Sequence, residues 1–306
     1  MHWQIRIPLR AVSSIRNTNW SLAFVALAAL CWGLSGGIAG ILTGEGWDPV
    51  VVSFYRGGTG LLFVLIWLAL KPHHSGLANP RLWFWSVLAG VGVTGNFTFY
   101  FISIAEGSVA VAATLMYCAP VFVYIVSFLF RLEKPTVPKC IAMVLVMAGV
   151  VLLTGIYDLE NTDVTLIAAG AGLLSGMSYA LFIFGFKYAA PHGSPQAILL
   201  IAFAILAVLL IGLSGTTETL EVLSAPRLPL FLALGLLGGG ISFILYIRGL
   251  NYTAPALAAI VAMIEPVTAS LFGVVFLAQS LAAPQLLGMA LILLTVTALG
   301  VYSSKA

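Results

Sequence analysis

Glu265 is the only charged residue between Ala254 and Leu277, and Pro266 follows it directly in the run AMIEP. A carboxylate in the middle of an apolar span costs about 2.5 to 3.5 kcal/mol on insertion scales, so it should face a cavity or a partner and not lipid. There it could hold a substrate ammonium group or carry a proton; the alternative is a structural carboxylate bonded to a neighbouring helix. Pro266 has no N–H, which predicts that the carbonyl of Ala262 loses its helical partner and that the helix bends where the acid sits. Pro120, in the run MYCAP, predicts the same for the carbonyl of Met116, but the position before it is Ala119. Both prolines are therefore candidate kinks for gating, and one of the two carries an acid.

Arg56, in SFYRGG, is the clear intramembrane basic residue. Roughly two turns into its segment, about 10 to 12 Å at 1.5 Å per residue, its guanidinium could pair with an acid, bind a carboxylate bidentately or snorkel to the interface. Trp32 and Ser35 share a face if their register matches Ser175, Ser178 and Tyr179. Asn96 and Tyr100 are one helical turn apart, as are Ser242 and Tyr246. Met116, Tyr117 and Met263 adjoin the prolines. Aromatic walls with a few polar groups suit an amphipathic metabolite, and an aromatic amino acid fits that description.

Other chemistries find no support. His2, His73, His74 and His192 lack metal-ligand spacing, and Cys31, Cys118 and Cys140 are odd in number, far apart and set in apolar stretches. No metal, cofactor or nucleic acid is implied. There is no Walker loop, paired intramembrane Asp, zinc motif or Ser/His couple, so neither direct ATP use nor intramembrane catalysis is indicated.

The elements that must position these residues follow from composition. Of 306 residues 61% are hydrophobic and 8% charged, with mean hydropathy +1.10, whereas soluble domains carry about 25% charged residues. Spanning or near-spanning segments lie close to 20–42, 49–70, 82–104, 108–130, 138–155, 164–186, 195–214, 228–250, 255–277 and 283–302. The fifth and seventh are the shortest. Runs this long satisfy their backbone bonds internally as helices. The first is basic at its start but longer than a signal core, and is expected to be retained. With the N-terminus cytoplasmic, the inner turns collect Arg6, Arg10, Arg16, Lys71, Arg81, Arg131, Lys134, Lys139, Lys187, Arg248 and Lys305, while the outer ones hold Arg227. Glu45, Asp48, Glu106, Asp158, Glu160, Asp163, Glu218 and Glu221 fall outside. Both termini are expected in the cytoplasm.

The chain also repeats itself. Tyr100 set on Tyr246 aligns Pro120 with Pro266 and Pro138 with Pro284 at an offset of 146, and WGLS at Trp32–Ser35 lies over SGMS at Ser175–Ser178. Five spans per repeat is an odd number, so the second half enters the membrane inverted, an arrangement common in secondary transporters. Glycines four apart (Gly33 with Gly37, Gly36 with Gly40, Gly172 with Gly176) and the cluster Gly235, Gly238–Gly240 predict close helix packing.

CWGLS in the first segment, SFYRGG in the second, MYCAP in the fourth and MIEP in the ninth, in this order and spacing over residues 20–302, resemble the drug/metabolite transporter superfamily, EamA type. Within it the chain is most similar to the YddG group of bacterial aromatic amino-acid exporters. The resemblance implies a central cavity between helices one to four and six to nine, with the fifth and tenth outside, and places Arg56 near the outer gate or in a structural contact.

The expected fold is therefore an all-α integral membrane protein of ten transmembrane helices in two inverted five-helix repeats. Its divisions are a cytoplasmic segment 1–19, a first repeat 20–155, an extracytoplasmic connection 156–163, a second repeat 164–302 and a cytoplasmic tail 303–306. The expected function is export of small metabolites, aromatic or other amino acids first, by alternating access in a bacterial inner membrane, with protons as a possible coupling ion and a monomer or homodimer as the unit. The alternatives are a drug or other metabolite transporter of the same fold, a channel, a structural membrane subunit or an intramembrane enzyme.

Overall fold

The computed structural model describes residues 15–72, 75–158, 165–212 and 216–305. His2, Arg6, Arg10, His73, His74, Glu160 and Asp163, with the side chains of Arg16, Asp158 and Lys305, lie outside the described residues, as do most of the 1–19 and 156–163 divisions.

Among the described residues ten helical spans run Ile15–Gly44, Pro49–Leu70, Pro80–Ala105, Val109–Leu129, Val137–Thr154, Leu166–Ala189, Pro195–Ile211, Leu228–Leu250, Pro255–Phe276 and Ala283–Lys305. Nine are long and apolar enough to cross a membrane; the seventh has 17 residues, at the lower limit for crossing. Their starts are written locally. Asp48 caps Val50 and Val51 ahead of Pro49, Asn79 caps Arg81 ahead of Pro80, and Ser194 caps Ala197 ahead of Pro195. Each pairs an oxygen acceptor at the cap with a proline whose missing N–H costs nothing in the first turn.

Three spans are interrupted. The fourth breaks between Val109–Met116 and Ala119–Leu129, and the ninth between Pro255–Val261 and Ile264–Phe276. The breaks fall where Pro120 and Pro266 predict them, but the carbonyl of Ala262 is not left free. The Glu265 amide donates to it at 2.9 Å, a tighter turn replacing the bond that Pro266 cannot make. The eighth span contains a π-helical segment, Leu236–Ile241, between Leu228–Gly235 and Ser242–Leu250.

Packing follows an exchange of the two halves. The third span packs on the sixth as the eighth packs on the first; the third on the seventh as the eighth on the second; the fourth on the sixth as the ninth on the first. The second meets the seventh and the fifth meets the tenth, each pair mapping onto itself. This is the relation expected of two inverted repeats. The fifth and tenth form the least buried pair, joined at Gly149 and Gly288. Small residues set the closest approaches: a Cβ on Gly92 would lie 2.6 Å from the Phe182 nitrogen, and one on Gly60 would lie 2.8 Å from the Gly239 carbonyl carbon.

Turns also meet as charge assigns them to sides. On the outer side Arg227 binds Glu45 with both Nε and Nη2, Glu218 accepts from the Asp48 amide at 2.8 Å, and Thr165 donates to Glu106. On the inner side Lys187 donates to the Thr253 carbonyl at 2.9 Å, and Ser21 bonds Thr253 at 2.6 Å.

The two faces differ in closure. Every residue of Pro255–Met263, the inner half of the ninth span, is buried, whereas in Ile264–Phe276 only Pro266, Val267, Thr268 and Gly273 are. The inner halves of the fourth and ninth spans pack together, and their outer halves make no comparable contact. On the sidedness that the charges imply, this departure from the half-exchange is a packing tighter toward the inside and looser toward the outside.

Candidate binding site at the helix breaks

The breaks in the fourth and ninth spans place Tyr117 and Glu265 at mid-depth, facing the second, third and sixth spans. Arg56 and Glu265 lie within electrostatic reach of one another and of Tyr100, Tyr117 and Tyr179. Five spans thus turn polar groups toward one region. Arg56, Tyr100 and Glu265 are each partly exposed. The Tyr179 hydroxyl donates to Glu265 Oε2 at 3.4 Å, long for a bond between oxygens. Glu265 and Arg56 form no direct ion pair; among the described residues the ion pairs join Lys139 to Glu133 and Arg227 to Glu45.

Arg56 turns inward and does not snorkel. Its Cζ stands 5.1 Å from the centre of the Phe97 ring, and its Nε lies so close to Gly238 that a Cβ there would be 2.7 Å away. The glycine at this point of the π-segment makes room for the guanidinium, which neither Arg56 nor the glycine cluster signals alone.

Toward the inner side of these groups lies an aromatic cluster. The Trp32 ring is 4.8 Å from Tyr246 and 5.0 Å from Phe243, and Tyr179 is 4.4 Å from Phe182. Phe186 and Phe203 close it behind Phe243. Phe97, Phe182 and Phe243 were not among the sequence candidates, although Phe182 follows Tyr179 and Phe243 precedes Tyr246 by three residues, the spacing of one helical face.

Within this core, Trp32 Nε1, Tyr246 Oη, Ser242 Oγ and Arg56 Nε are buried without a hydrogen-bond partner. An unmet buried polar group costs about 1 to 3 kcal/mol, so four around one region favour a polar ligand or water there.

Other candidates have protein partners. Asn96 Nδ2 donates to Ser175 Oγ at 3.0 Å and to its carbonyl at 3.2 Å, while Ser175 Oγ donates to the Asn96 carbonyl at 2.8 Å. Ser35 donates to Leu234 at 3.3 Å between the first and eighth spans. Ser178 packs against Gly95, and Met116, Met263, Pro120 and Pro266 are buried at the breaks. Asn96 and Ser175 therefore join the third and sixth spans. Asn96→Ala should lower the unfolding free energy by about 1 kcal/mol, read as thermal stability in detergent, and leave ligand affinity within about twofold; a tenfold affinity loss at unchanged stability would instead mark Asn96 as a ligand contact.

Comparison with known proteins agrees with this architecture. The profile of the EamA-like transporter family matches residues 19–155 and again 166–301. The chain belongs to that family, and is a multi-span membrane transporter of the drug/metabolite superfamily. It is 27% identical over 275 residues to the "Uncharacterized transporter YwfM" of Bacillus subtilis (strain 168), covering 89% of this chain and 90% of that one. It is 28% identical over 292 residues to an uncharacterized transporter of Archaeoglobus fulgidus, covering 91% and 95%. A solved structure titled only "Crystal structure of protein" superposes with a TM-score of 0.72 at 18% identity, covering 90% of this chain and 94% of that one, and shares the fold.

Proposed function

We propose that this transporter exports amino acids, aromatic ones foremost, by exposing one central site alternately to the two sides of a bacterial inner membrane, with its termini in the cytoplasm and residues 20–155 and 164–302 acting as the two moving repeats. The reading rests on one observation: Arg56 and Glu265 turn toward one region at the helix breaks and form no ion pair with one another. A zwitterion supplies what that pair lacks. Its carboxylate matches the two-pronged guanidinium of Arg56, and its ammonium group matches Glu265. The Trp32, Tyr179, Phe243 and Tyr246 rings offer a wall for an aromatic side chain, with Trp32 Nε1 and Tyr246 Oη as polar contacts. A phosphorylated ligand would call for more than one intramembrane cation.

Glu265 also supports proton coupling, because a carboxylate that binds an amine on one side of the membrane and a proton on the other exchanges the two. The breaks before Pro120 and Pro266 are the hinges of this reading. The test is uptake of labelled tryptophan, phenylalanine and threonine into liposomes containing the purified protein, with and without a pH gradient. Saturable uptake of the aromatic pair, faster when the vesicle interior is acid, is the expected result; uptake of none of them would remove the substrate assignment.

A further inference from the structure

The turn between the fourth and fifth spans carries a clasp that the transport site does not use. Glu133, whose side chain is 12% exposed, holds Lys139 Nζ at 2.6 Å through Oε2 and accepts the Ala256 amide at 3.1 Å through Oε1. Ala256 follows Pro255 at the start of the ninth span, where Ala254 offers no capping side chain. Glu133 therefore supplies, from another span, the acceptor that this segment lacks. Lys187 fixes the preceding turn through the carbonyls of Leu250 and Thr253. The inner half of the ninth span is thus tied at its first free amide to the turn that follows the inner half of the fourth. These are the two half-helices whose packing closes the inner face.

The second repeat contains the same turn without the charges. At the offset of 146, Glu133 falls on Gln279, Pro138 on Pro284 and Lys139 on Gln285. The backbone confirms the equivalence: the Glu133 amide donates to Ser127 and the Gln279 amide to Gly273, while Cys140 bonds Thr136 as Leu286 bonds Ala282. On the outer side, however, Gln279 folds against Gly273 of its own span, and Gln285 bonds the carbonyl of Leu153. Neither reaches Ala110, the counterpart of Ala256. The inner gate is fastened by an ionised acceptor with its own counter-ion, and the outer gate has only neutral amides in the equivalent places. Hydrogen bonds to charged groups exceed neutral ones by about a factor of two.

We propose that Glu133 is a positioning residue of the transport cycle: with Lys139 it latches the inner gate through the Ala256 amide, and the Gln279 and Gln285 counterparts make the outer latch weaker, so that the inward-closed state is the resting one. The proposal rests on the alternating-access reading but not on the substrate. The inner halves of the fourth and ninth spans cannot separate while Glu133 bridges them, so each inward opening breaks this contact.

The test reads the two gates directly. In a chain with Cys31, Cys118 and Cys140 replaced by serine, Ala258→Cys reports the buried inner half of the ninth span and Ser270→Cys its partly exposed outer half. A water-soluble maleimide, with no substrate present, should label position 270 readily and position 258 slowly. Adding Glu133→Gln should raise the rate at 258 about fivefold and lower it at 270. Transplanting the clasp outward, with Gln279→Glu and Gln285→Lys and Glu133 kept, should move both rates in the same directions. A merely structural Glu133 would alter yield or melting but would not slow labelling at 270. Should Glu133→Gln fail to fold, the transplant alone decides, and unchanged rates at both reporters in a folded variant overturn the proposal. Because no ligand enters the experiment, its failure leaves the amino-acid reading standing.

Discussion

Glu265→Gln is expected to abolish the acceleration of uptake by an acid vesicle interior while tracer exchange of the same amino acid continues. The substitution keeps the side chain's shape and its acceptor toward the Tyr179 hydroxyl, 3.4 Å away, and removes only the capacity to bind and release a proton. In an antiporter, protons leaving the vesicle drive substrate in, so the ratio of rates with and without the gradient should fall to about one. Affinity should fall about tenfold, as a charge-assisted contact to the ammonium group becomes a neutral one. The loss follows from position: Glu265 lies beside the break at 262–263, where the sealed inner half of the ninth span meets its looser outer half. A Glu265→Gln protein still driven by the gradient would dissociate this carboxylate from the proton pathway.

Arg56→Gln is expected to weaken tryptophan binding by roughly 30- to 100-fold, about 2 to 3 kcal/mol for a lost charge-assisted bidentate contact, and to leave inhibition by tryptamine nearly unchanged. The wild-type protein should prefer tryptophan to tryptamine, which lacks the carboxylate; the variant should lose that preference. Arg56→Lys should recover only part of it, since an ammonium group is a point charge and lacks the planar fork. The Phe97 ring and the Gly238 gap already orient the guanidinium, so little ordering accompanies binding. An arginine that only held the second span against the eighth would affect tryptophan and tryptamine alike. Competition of labelled tryptophan with both compounds separates the cases.

The spans and their grouping into two halves were legible from uninterrupted hydropathy and the 146-residue offset of Tyr100, Pro120 and Pro138, whereas the capped start at Asn79 and Pro80 lies two residues before the expected start of the third span at 82. The breaks were legible from Pro120 and Pro266, but the fate of the Ala262 carbonyl was not, since a tighter turn through Glu265 is a local solution that proline content does not announce. The π-segment escaped for a similar reason. Gly238–Gly240 signals close approach, and only the packing of Arg56 and Gly60 decides how the backbone accommodates it. Asn96 and Ser175 read as cavity residues because both are polar and mid-span; that they face one another depends on the register of the third span on the sixth. Lys139 was read only as a marker of sidedness and Glu133 carried no reading, so their correspondence to Gln279 and Gln285 went unseen. Which gate is closed was not legible, because two states of one inverted repeat differ by contacts that only the assembled halves make.

In the proposed cycle a single site, built around Arg56 and Glu265, is exposed to one side of the membrane at a time. Counterflow tests it most directly: liposomes containing the protein are preloaded with unlabelled tryptophan and diluted into a trace of labelled tryptophan, with no pH gradient. A single alternating site should give a transient accumulation of label well above that in vesicles without preload, saturating with internal tryptophan and absent from Arg56→Gln. Entry that rises linearly with concentration and is indifferent to the preload would contradict it.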